Sequence, residues 1–233
     1  MRIIRLFERI GLFLISTILL TNYIFSSNLT TNVPVYNSNA KEKRKIALTF
    51  DDGPHPRKTP EILKVLKKHD IKATFFIIGI NAKNYPETLS LVINDGHEIG
   101  NHTFSHRLLK SKTKEEISKE IIDTELMIEE RNGTSEKIIR PPCGIYDPSL
   151  VDFANERGYK IVLWSIDTND WAHVSYESII DVIDKNIVGG DILLFHDYIS
   201  GESNSIKALN YIIPRLKGLG YEFVTVSDLL KNA

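Results

Sequence analysis

The chain has 233 residues, with 29 lysines and arginines against 30 aspartates and glutamates and a formal net charge of −1. Its basic residues are dispersed rather than gathered in a stripe, so a nucleic-acid partner is not expected. The single cysteine, Cys143, excludes an internal disulfide, and the length beyond the first ~40 residues suits one domain with a full core, expected to be a monomer.

Arg2, Arg5 and Arg9 stand against Glu8, and the stretch from Ile10 to Phe25 carries no charge. This is a basic n-region followed by an apolar h-region. Residues 1–27 are expected to be a signal peptide or an uncleaved membrane anchor. Ser26-Ser27-Asn28 offers small residues for cleavage without an Ala-x-Ala site, and the apolar run approaches the lower limit for spanning a bilayer. Either outcome exports the rest, secreted to the cell wall or tethered and facing outward. Residues 28–44, rich in Asn, Ser, Thr and Lys, read as a polar linker, and 45–233 as the folded domain.

From Lys45 onward, short apolar runs alternate with amphipathic ones. Strands are expected over 46–50, 73–79, 98–100, 138–140, 160–166, 191–196 and 222–226. A helix is expected to start at Thr59-Pro60 with a cap and an N1 proline. Others follow a Thr113/Glu116 capping box, Asp147-Pro148 and Ser175, and the last carries Ile206, Leu209, Ile213 and Leu216. About seven strand-helix repeats predict a parallel α/β sheet, and periodicity leaves open whether it is doubly wound or a closed barrel. Both place functional groups at the carboxyl ends of the strands. No glycine-rich phosphate loop follows the first strand.

The polar residues at those ends are unusual. Asp51 and Asp52 end the first apolar run and meet the Gly53-Pro54 turn. As neighbours they point different ways, so one can bind a metal while the other handles a proton. His102 and His106 lie four apart, which on a helical turn brings both imidazoles to one side. With Asp52 they would make a two-His, one-Asp set compatible with catalytic zinc. Arg140-Pro-Pro-Cys143-Gly144 is a rigid segment that can set Arg140 against a carboxylate and aim a backbone N–H at a reacting oxygen. Asp167, Asp170 and Trp171 end one strand, and His196 ends another.

In this order the segments TFDDGP at 49–54, HTFSH at 102–106, RPPCG at 140–144, DTNDW at 167–171 and LLFH at 193–196 resemble the five motifs of the polysaccharide deacetylases, carbohydrate esterase family four. The resemblance covers about residues 45–230. It implies a single-domain deformed (β/α) barrel with one divalent metal, zinc by expectation with cobalt or nickel as alternatives. Asp52, His102 and His106 would be its ligands, Asp51 the general base and His196 the general acid. Arg140 would orient Asp51, and Asp170, or else Asp167, would support His196. Leu194 and Trp171 would line the acetyl pocket, and the N–H of Cys143 would stabilise the oxyanion. The expected reaction is removal of N-acetyl groups from N-acetylhexosamines of a cell-wall polysaccharide, peptidoglycan ahead of chitin. An O-acetyl esterase on xylan or another acetylated glycan and an inactive glycan-binding protein are the rivals. Cys143 replaces the family's usual aromatic residue and Phe195 its more common leucine; the first removes an aromatic groove wall.

Overall fold

The computed structural model describes residues 35–199 and 204–233. The expected signal or anchor segment and residues 28–34 lie outside them, and no helix among the described residues is long and apolar enough to cross a membrane. Nine parallel strands form one sheet: β1 (Val35–Tyr36), β2 (Lys45–Asp51), β3 (Thr74–Ile77), β4 (Glu98–Asn101), β5 (Ile138–Ile139), β6 (Lys160–Val162), β7 (Ile166–Asp167), β8 (Asp191–His196) and β9 (Glu222–Val224). Their order is β1-β6-β5-β4-β3-β2-β8-β7, with β9 also paired to the first half of β2. The helices are α1 (Lys58–Lys68), α2 (Gly79–Asn84), α3 (Pro86–Asn94), α4 (Lys114–Glu129), α5 (Pro148–Arg157), α6 (Tyr176–Asn186), α7 (Ser205–Gly218) and α8 (Val226–Leu229).

The expected strand 160–166 is two strands. β6 and β7 stand near opposite ends of the sheet order, yet only Leu163, Trp164 and Ser165 separate them. Four residue steps span at most roughly 14 Å, so the two ends must come together and the sheet must curl. Ser165 ties the crossing, its N–H donating to the Ile192 carbonyl and its hydroxyl to Asp191. Curling decides the question left open by periodicity: the architecture is a deformed (β/α) barrel.

β2 is buried along almost its whole length because both faces are covered. Leu48 and Phe50 face the helices. Register sets Phe50 between Phe75 of β3 and Phe195 of β8, with ring centroids 5.0 and 5.9 Å away, in a core that α1, α6 and α7 complete. Phe195 is thus an ordinary core residue. Ala47, Thr49 and Asp51 alternate with these and face the barrel interior. Asp51 pairs in register with His196, which puts both at the same mouth.

Two expectations change here. The stretch read as linker enters the domain at Val35: β1 pairs with β6, and buried Asn39 donates its amide to the Leu229 carbonyl and its N–H to Gly190. Thr59 does not cap α1. His55 does, its Nδ1 accepting the N–H groups of Arg57 and Lys58, while Pro60 sits in the first turn where no N–H is needed. The caps at Thr113, Asp147 and Ser175 are formed as expected.

Replacing Asn39 with alanine leaves the buried Leu229 carbonyl without its side-chain donor. Urea unfolding is expected to show a loss of about 1–3 kcal/mol, where a linker residue would show none.

Candidate active site

The end of β2 holds both carboxylates in different surroundings. Asp51 is buried in strand geometry, and its Oδ1 accepts a 2.7 Å bond from Arg140 Nη1. Asp52 turns into the left-handed region at φ 75°, tolerable for an aspartate, and Asn81 holds its carbonyl through a 2.7 Å bond. One change of backbone region sends the adjacent side chains apart.

His102 follows β4, its N–H bonded to the Ile77 carbonyl. Its Nδ1 lies 2.7 Å from the Arg140 carbonyl, an acceptor only, so Nδ1 carries the proton and Nε2 is left with a lone pair. His106 is not brought round by a helical turn, as the spacing suggested. Residues 102–106 form a loop with Thr103 at φ 66° and His106 at φ 56°, anchored where Ser105 gives its N–H and hydroxyl to Glu120 of α4. The two rings meet with centroids 4.9 Å apart.

Both Nε2 atoms converge on Asp52 Oδ1, at 3.4 Å from His102 and 3.3 Å from His106. These distances are long for hydrogen bonds, and Oδ1 is buried with no hydrogen-bond partner. Donors about 2.0–2.1 Å from a common ion in tetrahedral directions stand about 3.3–3.4 Å apart. The two edges to Asp52 Oδ1 match, and all three donor atoms lie within 4.8 Å of one another, so the orphaned oxygen and its two neighbours fit a metal ion. Burial raises the Asp52 pKa, but the neighbouring imidazoles, His102 first and then His196 and His106, pull it below its ordinary value.

Arg140 lies wholly inside the barrel. Nε donates to the Val162 carbonyl at 3.1 Å, Nη2 to Leu163 at 2.8 Å, and Nη1 to Thr49 and Asp51 at 2.7 Å each. Its guanidinium stands 4.1 Å from the Phe76 ring centroid. His196 pairs with Asp170, not Asp167: its Nδ1 is 2.8 Å from Asp170 Oδ1, and its N–H donates to Oδ2 at 3.0 Å. Ser205 adds a 2.6 Å bond to Oδ2. Asp167 instead accepts the N–H of Asn169. Burial lowers the His196 pKa, but the Asp170 hydrogen bond and charge overcome it, and the value rises to about 9.

The remaining expected residues surround this mouth. Leu194 is buried on the interior face of β8, two residues before His196, and Trp171 is 54% exposed beside Asp170. Cys143 is exposed in a tight turn at φ 56°, and among the described residues its N–H has no acceptor. The residue missed in the sequence is Asp197. It is fully buried, donates its N–H to the Asp51 carbonyl and accepts a 2.5 Å bond from Thr59. It fills the space where a Gly53 side chain would go, since an added Cβ would lie 2.2 Å from Asp197 Oδ2. Burial raises its pKa to about 7, against the Thr59 hydrogen bond. The available signal was the polar run His196-Asp197 at the end of a buried strand.

An arginine-held carboxylate, an Asp/His/His donor set and a His/Asp pair share one mouth of a β/α barrel, the equipment of a hydrolase that works with a metal. Residues 38–162 match the family model described as polysaccharide deacetylase, and the chain belongs to that family. It is 41% identical over 192 residues to a peptidoglycan-N-acetylglucosamine deacetylase of Bacillus cereus, covering 82% of this chain and 70% of the relative. It is 38% identical over 187 residues to the peptidoglycan-N-acetylmuramic acid deacetylase PdaC of Bacillus subtilis, covering 80% of this chain and 39% of PdaC. The crystal structure of the Bc1960 peptidoglycan N-acetylglucosamine deacetylase in complex with an N-oxidanyl-benzamide superposes with a TM-score of 0.83 at 38% identity, covering 87% of this chain and 95% of the other.

A folded pKa of about 9 against 6.5 means that the His196 interaction stabilises the fold in full below about pH 6.5 and is lost as pH rises through about 9. An imidazole NMR titration of the metal-free protein is expected to place His196 well above 6.5, and Asp170→Asn to bring it down. An unmoved value in Asp170→Asn contradicts the pairing.

Proposed function

We propose that this chain removes N-acetyl groups from N-acetylhexosamine residues of peptidoglycan, with zinc held by Asp52, His102 and His106. The observation that carries the reading is the division of labour at the end of β2. Asp51 belongs to Arg140, and the Asp52 Oδ1 belongs to two histidine Nε2 atoms. Two histidine nitrogens at tetrahedral-edge distances from one carboxylate oxygen, with no fourth protein ligand in the cluster among the described residues, support zinc with a position left for reactants. The printed activities of the Bacillus relatives support peptidoglycan as the glycan. The basic start and the uncharged run from Ile10 to Phe25 support export to the wall.

A divalent ion bound there supplies polarisation of the acetyl carbonyl and a lowered pKa for attacking water. The chain's own residues do the rest. Asp51 takes the water's proton. Arg140 fixes that carboxylate so that its second oxygen can serve as base while Oδ1 stays occupied. The N–H of Cys143 is free to donate to the developing oxyanion, and because this is a backbone group, cysteine in place of an aromatic residue does not remove it. His196 gives a proton to the departing amine from Nε2, since Nδ1 is engaged by Asp170. The two groups have separate partners: Arg140 holds Asp51 in place, and Asp170 favours protonated His196. Leu194 and Trp171 offer apolar surface for the acetyl methyl.

Asp52→Ala and His102→Ala are expected to lose zinc and turnover together. Asp51→Asn is expected to keep zinc, as measured by metal content, and lose about 10²–10⁴ in kcat. Zinc retained in both ligand variants contradicts the assignment. Acetate and free sugar amines are expected from intact peptidoglycan. Acetate released only from ester substrates would establish an O-acetyl esterase instead, and glycan bound by the zinc-loaded protein without acetate release would establish an inactive binding protein.

A further inference from the structure

Asp197 is fully buried, and the chemistry proposed for the site does not use it. Its Oδ2 accepts one 2.5 Å bond from Thr59, while Oδ1 is enclosed with no hydrogen-bond partner among the described residues. Burying a carboxyl with one oxygen unserved is unfavourable, and an apolar residue could follow β8 without that penalty. Functional sites are where such violations are kept.

The carboxyl packs against the turn that follows Asp52. A Cβ added to Gly53 would meet Asp197 Oδ2, Oδ1 and Cγ at 2.2, 2.3 and 2.5 Å, and these are the three atoms nearest to it. The carboxyl therefore lies where a side chain at position 53 would begin. Gly53 is not one of the glycines with positive φ, so the carboxyl, and not the backbone, excludes alanine there. Asp197 also donates its N–H to the Asp51 carbonyl at 3.1 Å, which fixes the end of β8 against the end of β2.

The turn needs support because Asp52, at φ 75°, lies in a region that non-glycine residues hold only where their surroundings over-determine it. Asn81 holds the Asp52 carbonyl at 2.7 Å, and the Ile78 N–H holds the Gly53 carbonyl at 3.0 Å. The Thr59 hydroxyl accepts the His55 N–H at 2.8 Å and donates to Asp197, so the far end of the turn and the carboxyl share one chain of bonds. These bonds hold the turn by its backbone groups. The carboxyl supports it at the one residue that has no side chain. We infer that Asp197 is a positioning residue for the metal ligand: through Gly53 it fixes the direction of the Asp52 carboxylate toward His102 and His106. The inference rests on the zinc reading of the site, in which a ligand displaced by more than about 0.5 Å loses its productive geometry.

Zinc affinity measured by chelator competition tests this, with the visible bands of the cobalt-loaded protein as a report of ligand geometry. Asp197→Ala is expected to weaken zinc about tenfold and to shift the cobalt bands. Asp197→Asn keeps the shape and an acceptor for Thr59, and is expected to bind zinc as the unsubstituted protein does. Gly53→Ala is expected to lose affinity because its Cβ collides with the carboxyl. In Gly53→Ala/Asp197→Ala the methyl takes the vacated space, so the double variant is expected to bind zinc more tightly than either single one. A residue that only stabilises the fold would lower the urea midpoint of the metal-free protein and leave zinc affinity and the cobalt spectrum unmoved. That result, or single losses that simply add in the double variant, overturns the inference. If Asp197→Ala does not fold, Thr59→Val, which releases the carboxyl without emptying the space, decides in the same way: a smaller loss of zinc affinity is expected, and an unmoved affinity overturns the inference. Acetate release by the unsubstituted protein is followed separately. Zinc bound without acetate release refutes the deacetylase reading and leaves the variants' affinities to decide the role of Asp197, whereas no zinc bound refutes both.

Discussion

The buried contact between Arg140 and Asp51 is the constraint on which the remaining geometry depends. An arginine with no solvent exposure is costly unless every donor is placed, and here its bonds reach β2, the end of β6 and the residue after it. These strands surround the barrel interior, so the guanidinium acts as an internal strut. Its own carbonyl takes the Nδ1 proton of His102 and thereby turns the other ring nitrogen toward Asp52. One residue therefore sets the direction of the Asp51 carboxylate and the tautomer of His102.

Removing one partner of such a pair costs roughly 3–5 kcal/mol, whereas replacing both with apolar groups is often neutral. Stability alone does not explain its presence. Its worth lies in holding one carboxylate in a fixed direction beside a neighbouring acid that points elsewhere. The same logic repeats across the mouth, where Asp170 is held by Ser205 and by the His196 backbone N–H before it meets the imidazole. In both pairs a fully buried partner orients a less enclosed group, and the charges are opposite in sense. The proposed base and acid thus have separate, oppositely charged supports.

The chemistry-bearing residues were legible in the sequence because they stand at the ends of apolar runs, where the chain leaves the core. Their spatial pairing was legible only in part. The spacing of His102 and His106 suggested a helix, but left-handed Thr103 and His106 carry no glycine to announce the loop. The run 160–166 looks like one strand because apolar character continues across the seam between two strands, and local pattern does not report a change of neighbours. β1 is two residues long in a polar stretch, too short to show alternation. Asp197 was passed over because one charged residue after a buried strand reads as the start of a loop, and its role depends on the absent side chain of Gly53.

The separation of the two adjacent carboxylates is the central feature of the site. Anomalous diffraction at the zinc edge from crystals of the zinc-loaded protein tests it most directly. One peak is expected about 2.0–2.2 Å from Asp52 Oδ1 and from the Nε2 atoms of His102 and His106, with Asp51 still bound to Arg140 and outside the coordination sphere. A zinc ion ligated by Asp51, or lying away from His106, would contradict it.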